Sequence, residues 1–386
     1  IRSAQPRYEG HRQPVRPAWG MVDDTDPHVA AREIDLAADH GVCSFLYHWH
    51  HFDDGPFLHD ALDRGLLKAA NIDRIKFALL WDNRDILAHA PALLSGNPGI
   101  LASGRVTSAT FDAMVRLWVE RYFPHHCYLR MEECPFVAIY DLVNFVRSMG
   151  GLEGAREAIE RLQLKAAGAG FPGVHVMGLL WRAEEESRWA EFGGVRALVA
   201  ALPLDSVGPA SFLDHYDLVA DTFPRGSYAK AAAANFHHWE SESRSWGVPY
   251  IPNVTLGFDA SPRCAATDHF ERREYPFVPI LDGSTPAAVR SAFEHARTFV
   301  TRPDASVKLV TISSWNDWLE GASLLPDETH GDCYLEMLKR VFAREINPAR
   351  AANQRSSVGH APPAVPPVNS GRPPVGSHSP PVPGAR

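Results

Sequence analysis

Basic charge is in short supply in this chain. Its 386 residues carry 38 Lys and Arg against 46 Asp and Glu, a formal net charge of −8. That balance offers no basic face to a phosphate backbone or an anionic bilayer, so nucleic acid is not an expected partner. Long apolar runs are also missing, and none approaches the roughly 20 residues of a membrane span. Cysteine is scarce and scattered: Cys43, Cys127, Cys134, Cys264 and Cys333 form no CxxC pair and are odd in number, which excludes a disulfide framework or a zinc knuckle. The opening IRSAQPRYEG has neither an initial Met nor the apolar core of a signal peptide. A cytoplasmic location is favoured, with the compartment itself left open.

What is present is a body with enough apolar content to bury a large core, followed by a different kind of sequence. Hydrophobic residues make up 45% of the chain. From 347 to 386 the composition turns to Pro, Ser, Gly and Val, without aromatic residues or periodic apolar positions. Such a segment cannot repay its ordering entropy and is expected to be disordered. The domain is therefore expected to span 1–346.

Within that domain short apolar runs alternate with helical patterns. Expected strands lie at 42–48, 75–81, 135–141, 174–181, 205–209, 249–255 and 308–314. Expected helices lie at 27–40, 55–69, 108–122, 152–169, 192–201, 228–246, 286–301 and 331–344. Ser108 and Thr285-Pro286 read as helix starts. Strands alternating with helices predict a parallel α/β sheet, and the size suits a TIM-type (β/α)8 barrel. Seven strands stand where such a barrel needs eight, and the helix at 27–40 precedes the first of them. The first barrel strand is expected to be lacking or altered.

In such barrels chemistry sits at the carboxyl ends of the strands. Those ends read His48-Trp49-His50, Trp81-Asp82-Asn83-Arg84, Tyr140-Asp141 and Trp181-Arg182. Further on come Asn253 with Asp259 and Arg263, then Trp315-Asn316-Asp317-Trp318-Leu319-Glu320-Gly321. Flat aromatic faces suit the C–H faces of sugar rings, and the polar side chains suit hydroxyls. Candidate sugar-binding residues are therefore His48, Trp49, His50, Trp81, Asn83, Tyr140, Trp181, Asn253, Asp259, Trp315, Asn316 and Trp318. Asp317 and Glu320 are the candidate catalytic pair. If the chain turns helically after the last strand, a spacing of three puts both carboxyls on one side, about 5–6 Å apart at Cβ. Two close carboxyls on one glycosidic centre suit hydrolysis with retention. A His48/His50 metal site of the amidohydrolase type lacks its partner histidines at the middle strands, so neither metal nor cofactor is expected.

The segment SSWNDWLEGASLLPDETHGDCYLEML resembles the closing motif of WbsX-type proteins, which belong to the glycoside hydrolase family 99-like group. Their pattern is approximately N-[AS]-W-N-E-W-x-E-G, then L-E-P-D, then G-x-x-Y-L. Trp315, Asn316, Trp318, Glu320, Gly321, Pro326, Asp327, Gly331, Tyr334 and Leu335 match it. PRYEGHRQPVRPAWG, VCSFLYHWHHFDDGPFL and FALLWDNRD resemble three further segments. Asp317 and Leu325 depart, each standing where those proteins carry Glu. The resemblance implies a (β/α)8 barrel acting on sugars without metal, with Asp317 as base toward the sugar 2-hydroxyl and Glu320 protonating the leaving oxygen. The leading expectation is a retaining glycoside hydrolase acting on mannose-like bacterial polysaccharide. The alternatives are a WbsX-type glycosyltransferase in surface-polysaccharide assembly and a barrel that binds carbohydrate without catalysis. The sequence leaves the sugar, the linkage and the oligomeric state open.

Overall fold

Seven parallel strands run side by side in chain order in this computed structural model, which describes residues 4–88 and 99–342. The strands are β1 (Ser44–Phe52), β2 (Lys76–Trp81), β3 (Cys134–Ile139), β4 (His175–Leu179), β5 (Ser206–Gly208), β6 (Asn253–Thr255) and β7 (Thr311–Ser313). β1 to β5 form one continuous parallel ladder. A parallel bridge from Val207 to Tyr250 carries the order on toward β6, which pairs in parallel with β7. Each expected strand is thus present.

The helices are α1 (Pro27–Asp39), α2 (Ser108–Leu117), α3 (Leu142–Ser148), α4 (Leu152–Gly168), α5 (Val195–Ala201), α6 (Tyr228–Ser241), α7 (Pro286–Val300) and α8 (Cys333–Phe342). Local chemistry explains their starts. Pro27 opens α1 and the Asp26 carboxylate accepts from the His28 N–H, and Thr285-Pro286 does the same for α7. At α2 the cap is Thr107, one residue before the expected Ser108. α1 buries Ala30, Glu33, Ile34 and Ala37, a helical stripe facing the sheet.

Two expectations need correction. The stretch 55–69 does not begin as a helix: Gly55–Phe57 folds back as an antiparallel strand on β1, pairing Phe57 with His50, and only short helical turns follow. The chain after β7 is a hairpin, Asn316–Asp317 against Ala322–Ser323, not a helix.

Burial marks an open seam between β1 and β7 among the described residues. β2 to β5 are buried on both faces, as expected for strands with neighbours on each side and helices outside. β1 and β7 are only partly buried. Among the described residues no ladder joins them, and the seam is spanned instead by the Phe45 and Trp315 rings, 5.0 Å apart edge to face. The expected tail, 347–386, lies outside the described residues.

Candidate active site

The β7 hairpin places the two acids. The Asp317 N–H donates to Ser314 Oγ at 3.0 Å, and the Glu320 N–H donates to Asp317 Oδ1 at 3.1 Å. Both carboxyl-bearing residues are therefore held by one turn, though not by the helical geometry expected. Burial pushes the Asp317 carboxyl up to about 6, and the Glu320 charge adds to the effect. Glu320 Oε1 accepts from the Tyr275 hydroxyl at 2.6 Å and lies 3.4 Å from an Arg263 nitrogen.

The backbone behind Glu320 is anchored as well. The Asp259 N–H donates to the Glu320 carbonyl at 2.7 Å. Gly321 has φ +63°, and a Cβ there would come within 2.9 Å of the Asp259 Cβ. Glycine is required by both the left-handed backbone and the close approach.

A second group forms where β1, β2, β3 and β4 end. Arg84 grips Asp82 with both arms, Nε to Oδ1 at 2.8 Å and Nη2 to Oδ2 at 2.6 Å, while His48 Nδ1 lies 2.9 Å from Asp82 Oδ2. Burial alone would raise the Asp82 carboxyl, but the Arg84 guanidinium outweighs it and, with His48, holds it well below the usual range. The Arg84 guanidinium lies 4.0 Å from the centre of the Tyr140 ring and 5.7 Å from that of Trp181, and Arg188 lies 4.3 Å from the Trp181 ring. This group and the acid pair share one electrostatic neighbourhood. The Glu320 charge is felt at Arg84 and Tyr140, and the His48 charge at Asp317.

The structure sorts the candidate sugar-binding residues. His48 is half-exposed and His50 half-buried beside it, their rings 6.5 Å apart on one face of β1. Trp49, between them in sequence, points the other way and is 1% exposed among Trp118, Tyr122 and His59. Trp81 is fully buried against Phe111, Trp118 and Phe145. Both tryptophans pack in the layer between barrel and helices. The strand's two-residue period decides this.

Three polar candidates are also committed elsewhere. Asn83 is buried and spends both ends of its amide on the Asp141 backbone, at 2.8 Å each. Asn253 ties β6 to β7 through Thr311 and Ser313. Asp259 accepts from Gln13 at 2.6 Å, lies 2.8 Å from His11 Nε2, and so anchors the amino-terminal segment. Trp315, Asn316 and Trp318 keep at least part of their surface at the hairpin, and Trp181 does so beside Arg84 and Arg188. Tyr140 is nearly buried under Arg84.

Arg84 stands in the string after Trp81, but its grip on Asp82 and its place over Tyr140 emerge only in the fold. Nothing in the sequence marked Tyr275, which reaches Glu320 from a loop 45 residues upstream. His11 and Gln13 were equally silent, because their partner lies 248 and 246 residues away.

With this geometry in hand, comparison with known proteins decides the family. Residues 1–338 match the model of the family described as Glycosyltransferase WbsX. The chain belongs to that family. The WbsX-family protein is 22% identical over 350 residues to WxcX of Xanthomonas campestris pv. campestris strain B100, a match covering 88% of this chain. It spans 45% of the length of that relative. A GH99 endo-α-mannosidase from Bacteroides thetaiotaomicron superposes with a TM-score of 0.54 at 14% identity, covering 90% of this chain and 92% of the other. A glycoside hydrolase-like protein gives 0.56 at 14% identity, covering 85% and 89%. These likenesses establish the barrel fold. The family itself is one of carbohydrate-active proteins by its description. No helix among the described residues is long and apolar enough to cross a membrane.

Proposed function

We propose that this WbsX-family protein is a retaining glycoside hydrolase acting on mannose-like bacterial polysaccharide, with Asp317 as base and Glu320 as general acid/base. The observation that carries the reading is the coupling of Asp317 and Glu320 in one turn, with Asp317 held up to about 6. A base whose pKa lies near working pH is stronger than an ordinary aspartate and still mostly ionised. In the proposed reaction Asp317 takes the proton of the sugar 2-hydroxyl as that oxygen attacks the anomeric carbon. Glu320 passes its proton to the departing glycosidic oxygen. Water then opens the strained intermediate, its proton returning to Glu320, and the 2-oxygen recovers its own from Asp317. His48, His50, Trp181, Trp315, Asn316 and Trp318 line the sugar site in this reading. The catalytic domain is taken to span 1–346 and the tail 347–386.

A glycosyltransferase is the second reading, favoured by the description of the matching family. The endo-α-mannosidase among the structural neighbours supports the first. The test is sugar release from mannose-containing polysaccharides, with no nucleotide sugar or divalent metal added. Release by wild type that disappears in Glu320→Gln supports the hydrolase. Turnover only with a nucleotide-sugar donor supports the transferase. Binding of polysaccharide that Glu320→Gln leaves intact, without turnover under either condition, would mark a carbohydrate-binding barrel.

A further inference from the structure

Away from the carboxylate pair, Glu184, His215 and His238 converge from three elements: the loop after β4, the loop after β5, and α6. Their ligand atoms all lie within 4.8 Å of one another. His215 Nδ1 is 3.3 Å from Glu184 Oε1, and the His215 side chain is 1% exposed. Its other nitrogen, Nε2, lies 3.1 Å from the Tyr250 hydroxyl. That contact fixes the ring and leaves Nδ1 facing Glu184, the arrangement that second-shell partners impose on metal-ligating histidines. The His238 ring stacks on His215 with centroids 3.5 Å apart and planes at 15°. His238 Nε2 is shielded from solvent and has no hydrogen-bond partner among the described residues. A buried polar atom in that condition calls for an explanation, and an unseen ion is one.

We propose that Glu184, His215 and His238 form a structural site for a divalent transition cation of the zinc type, independent of the hydrolase reading. Two imidazoles and one carboxylate are a zinc donor set, whereas calcium and magnesium take oxygen ligands. Zinc–nitrogen bonds of about 2.0–2.1 Å at a tetrahedral angle need nitrogens about 3.3 Å apart. The ligand atoms already lie within 4.8 Å of one another, and His238 turning out of its stack on His215 would bring its nitrogen to that spacing and its lone pair toward the ion. Water would complete the shell, because Glu184 lies at the surface. The ion would clip two strand-end loops to α6 and so stabilise one side of the barrel's working face.

The described residues hold one competing group, His125, His126 and Cys127. Its donors are adjacent in sequence and partly spent: His125 Nδ1 accepts from the Cys127 N–H, and His126 bonds to Asp73. The experiment therefore uses the full chain carrying His126→Ala, stripped with chelator, and titrates zinc chloride alone by calorimetry with metal analysis after dialysis. In this background one zinc ion per chain is expected to be lost on His238→Gln and weakened about tenfold or more by Glu184→Gln. Zinc is expected to raise the melting temperature of the parent by several degrees and leave that of His238→Gln unmoved. Glu184 is surface-exposed, so its variant keeps the test decisive if His238→Gln fails to fold. Equal zinc binding by the parent and by each folded variant overturns the proposal, as does a parent that takes up no zinc at sub-millimolar concentration.

Discussion

The backbone N–H of Glu320 donates to the carboxylate of Asp317 at 3.1 Å, so one acid helps to set the position of the other. This contact closes the hairpin after β7 and ties the Asp317 carboxylate to the Glu320 backbone. The Glu320 charge also helps to raise the Asp317 carboxyl.

Asp317 should therefore trade stability for chemistry. Its carboxyl titrates near 6 in the fold against an ordinary value of 3.8, with burial the main cause and Glu320 the second. A raised value means the fold favours the neutral form. That stability is fully present below the unfolded pKa and is lost as pH rises through 6. Asp317→Asn stays neutral throughout. Its melting temperature is expected to exceed wild type at pH 8 and to match it near pH 4, in paired thermal melts. The same variant is expected to lose about 10²–10⁴ of kcat/KM in sugar release, the range for removal of a general base. A variant no more stable than wild type at pH 8 would contradict the raised titration.

Tyr275 offers a cleaner functional probe, because its side chain is 38% exposed and supports little of the core. Its hydroxyl donates to Glu320 Oε1 at 2.6 Å. A hydrogen bond to a charged group contributes about 1.5–3 kcal/mol. Tyr275→Phe is expected to cut kcat about tenfold or more while KM and the melting temperature stay close to wild type. Steady-state kinetics beside a melt would separate this from a packing defect, which would lower the melting temperature too.

Asp82 and Arg84 make the opposite prediction. Asp82 is 1% exposed, and both its oxygens are held by Arg84. Asp82→Asn leaves a guanidinium packed over Tyr140 without its counter-charge. Breaking a buried pair costs about 3–5 kcal/mol, and the partial exposure of Arg84 argues for the lower end. Chemical denaturation should show that loss. Arg84→Lys keeps the charge but gives up the two-armed grip and the ring stack, so a smaller loss is expected together with weaker sugar binding.

Much of this arrangement was legible in the sequence, and the boundary has a physical cause. The alternation of apolar runs located all seven strands, because period and burial are local properties. The position of Asp317 and Glu320 beyond β7 was legible for the same reason. The burial of Trp49 and Trp81 follows only when the two-residue period is carried through the strand ends. His48 and His50 share a face that Trp49 cannot share. The internal hydrogen bonds of Asn83, Asn253 and Asp259 were illegible for a different reason. Their partners are other strands or the amino-terminal segment, and no local pattern reveals that an amide is already spent. Tyr275 illustrates the same limit from the other side, as a contact made by a loop whose sequence carries no signal.

Gly321 shows how far the Glu320 geometry depends on its neighbour in the turn. At φ +63°, with a Cβ due to meet the Asp259 Cβ at 2.9 Å, an alanine is strained twice. The strain cannot be relieved by rotating a flexible side chain, because the opposing atom is next to the backbone. Either the Asp259 segment retreats, loosening the N–H that holds the Glu320 carbonyl at 2.7 Å, or the hairpin does. Residues forced into such backbone regions cost about 1–3 kcal/mol. A displacement of about 1 Å at a reacting group can cost a hundredfold in rate. Gly321→Ala is therefore expected to lose both stability and most of its kcat, whereas Glu320→Gln loses activity with its melting temperature little changed. If Gly321→Ala turns over at the wild-type rate, the carbonyl anchor does not set the position of Glu320, and the acid must be held by its contacts to Asp317, Tyr275 and Arg263.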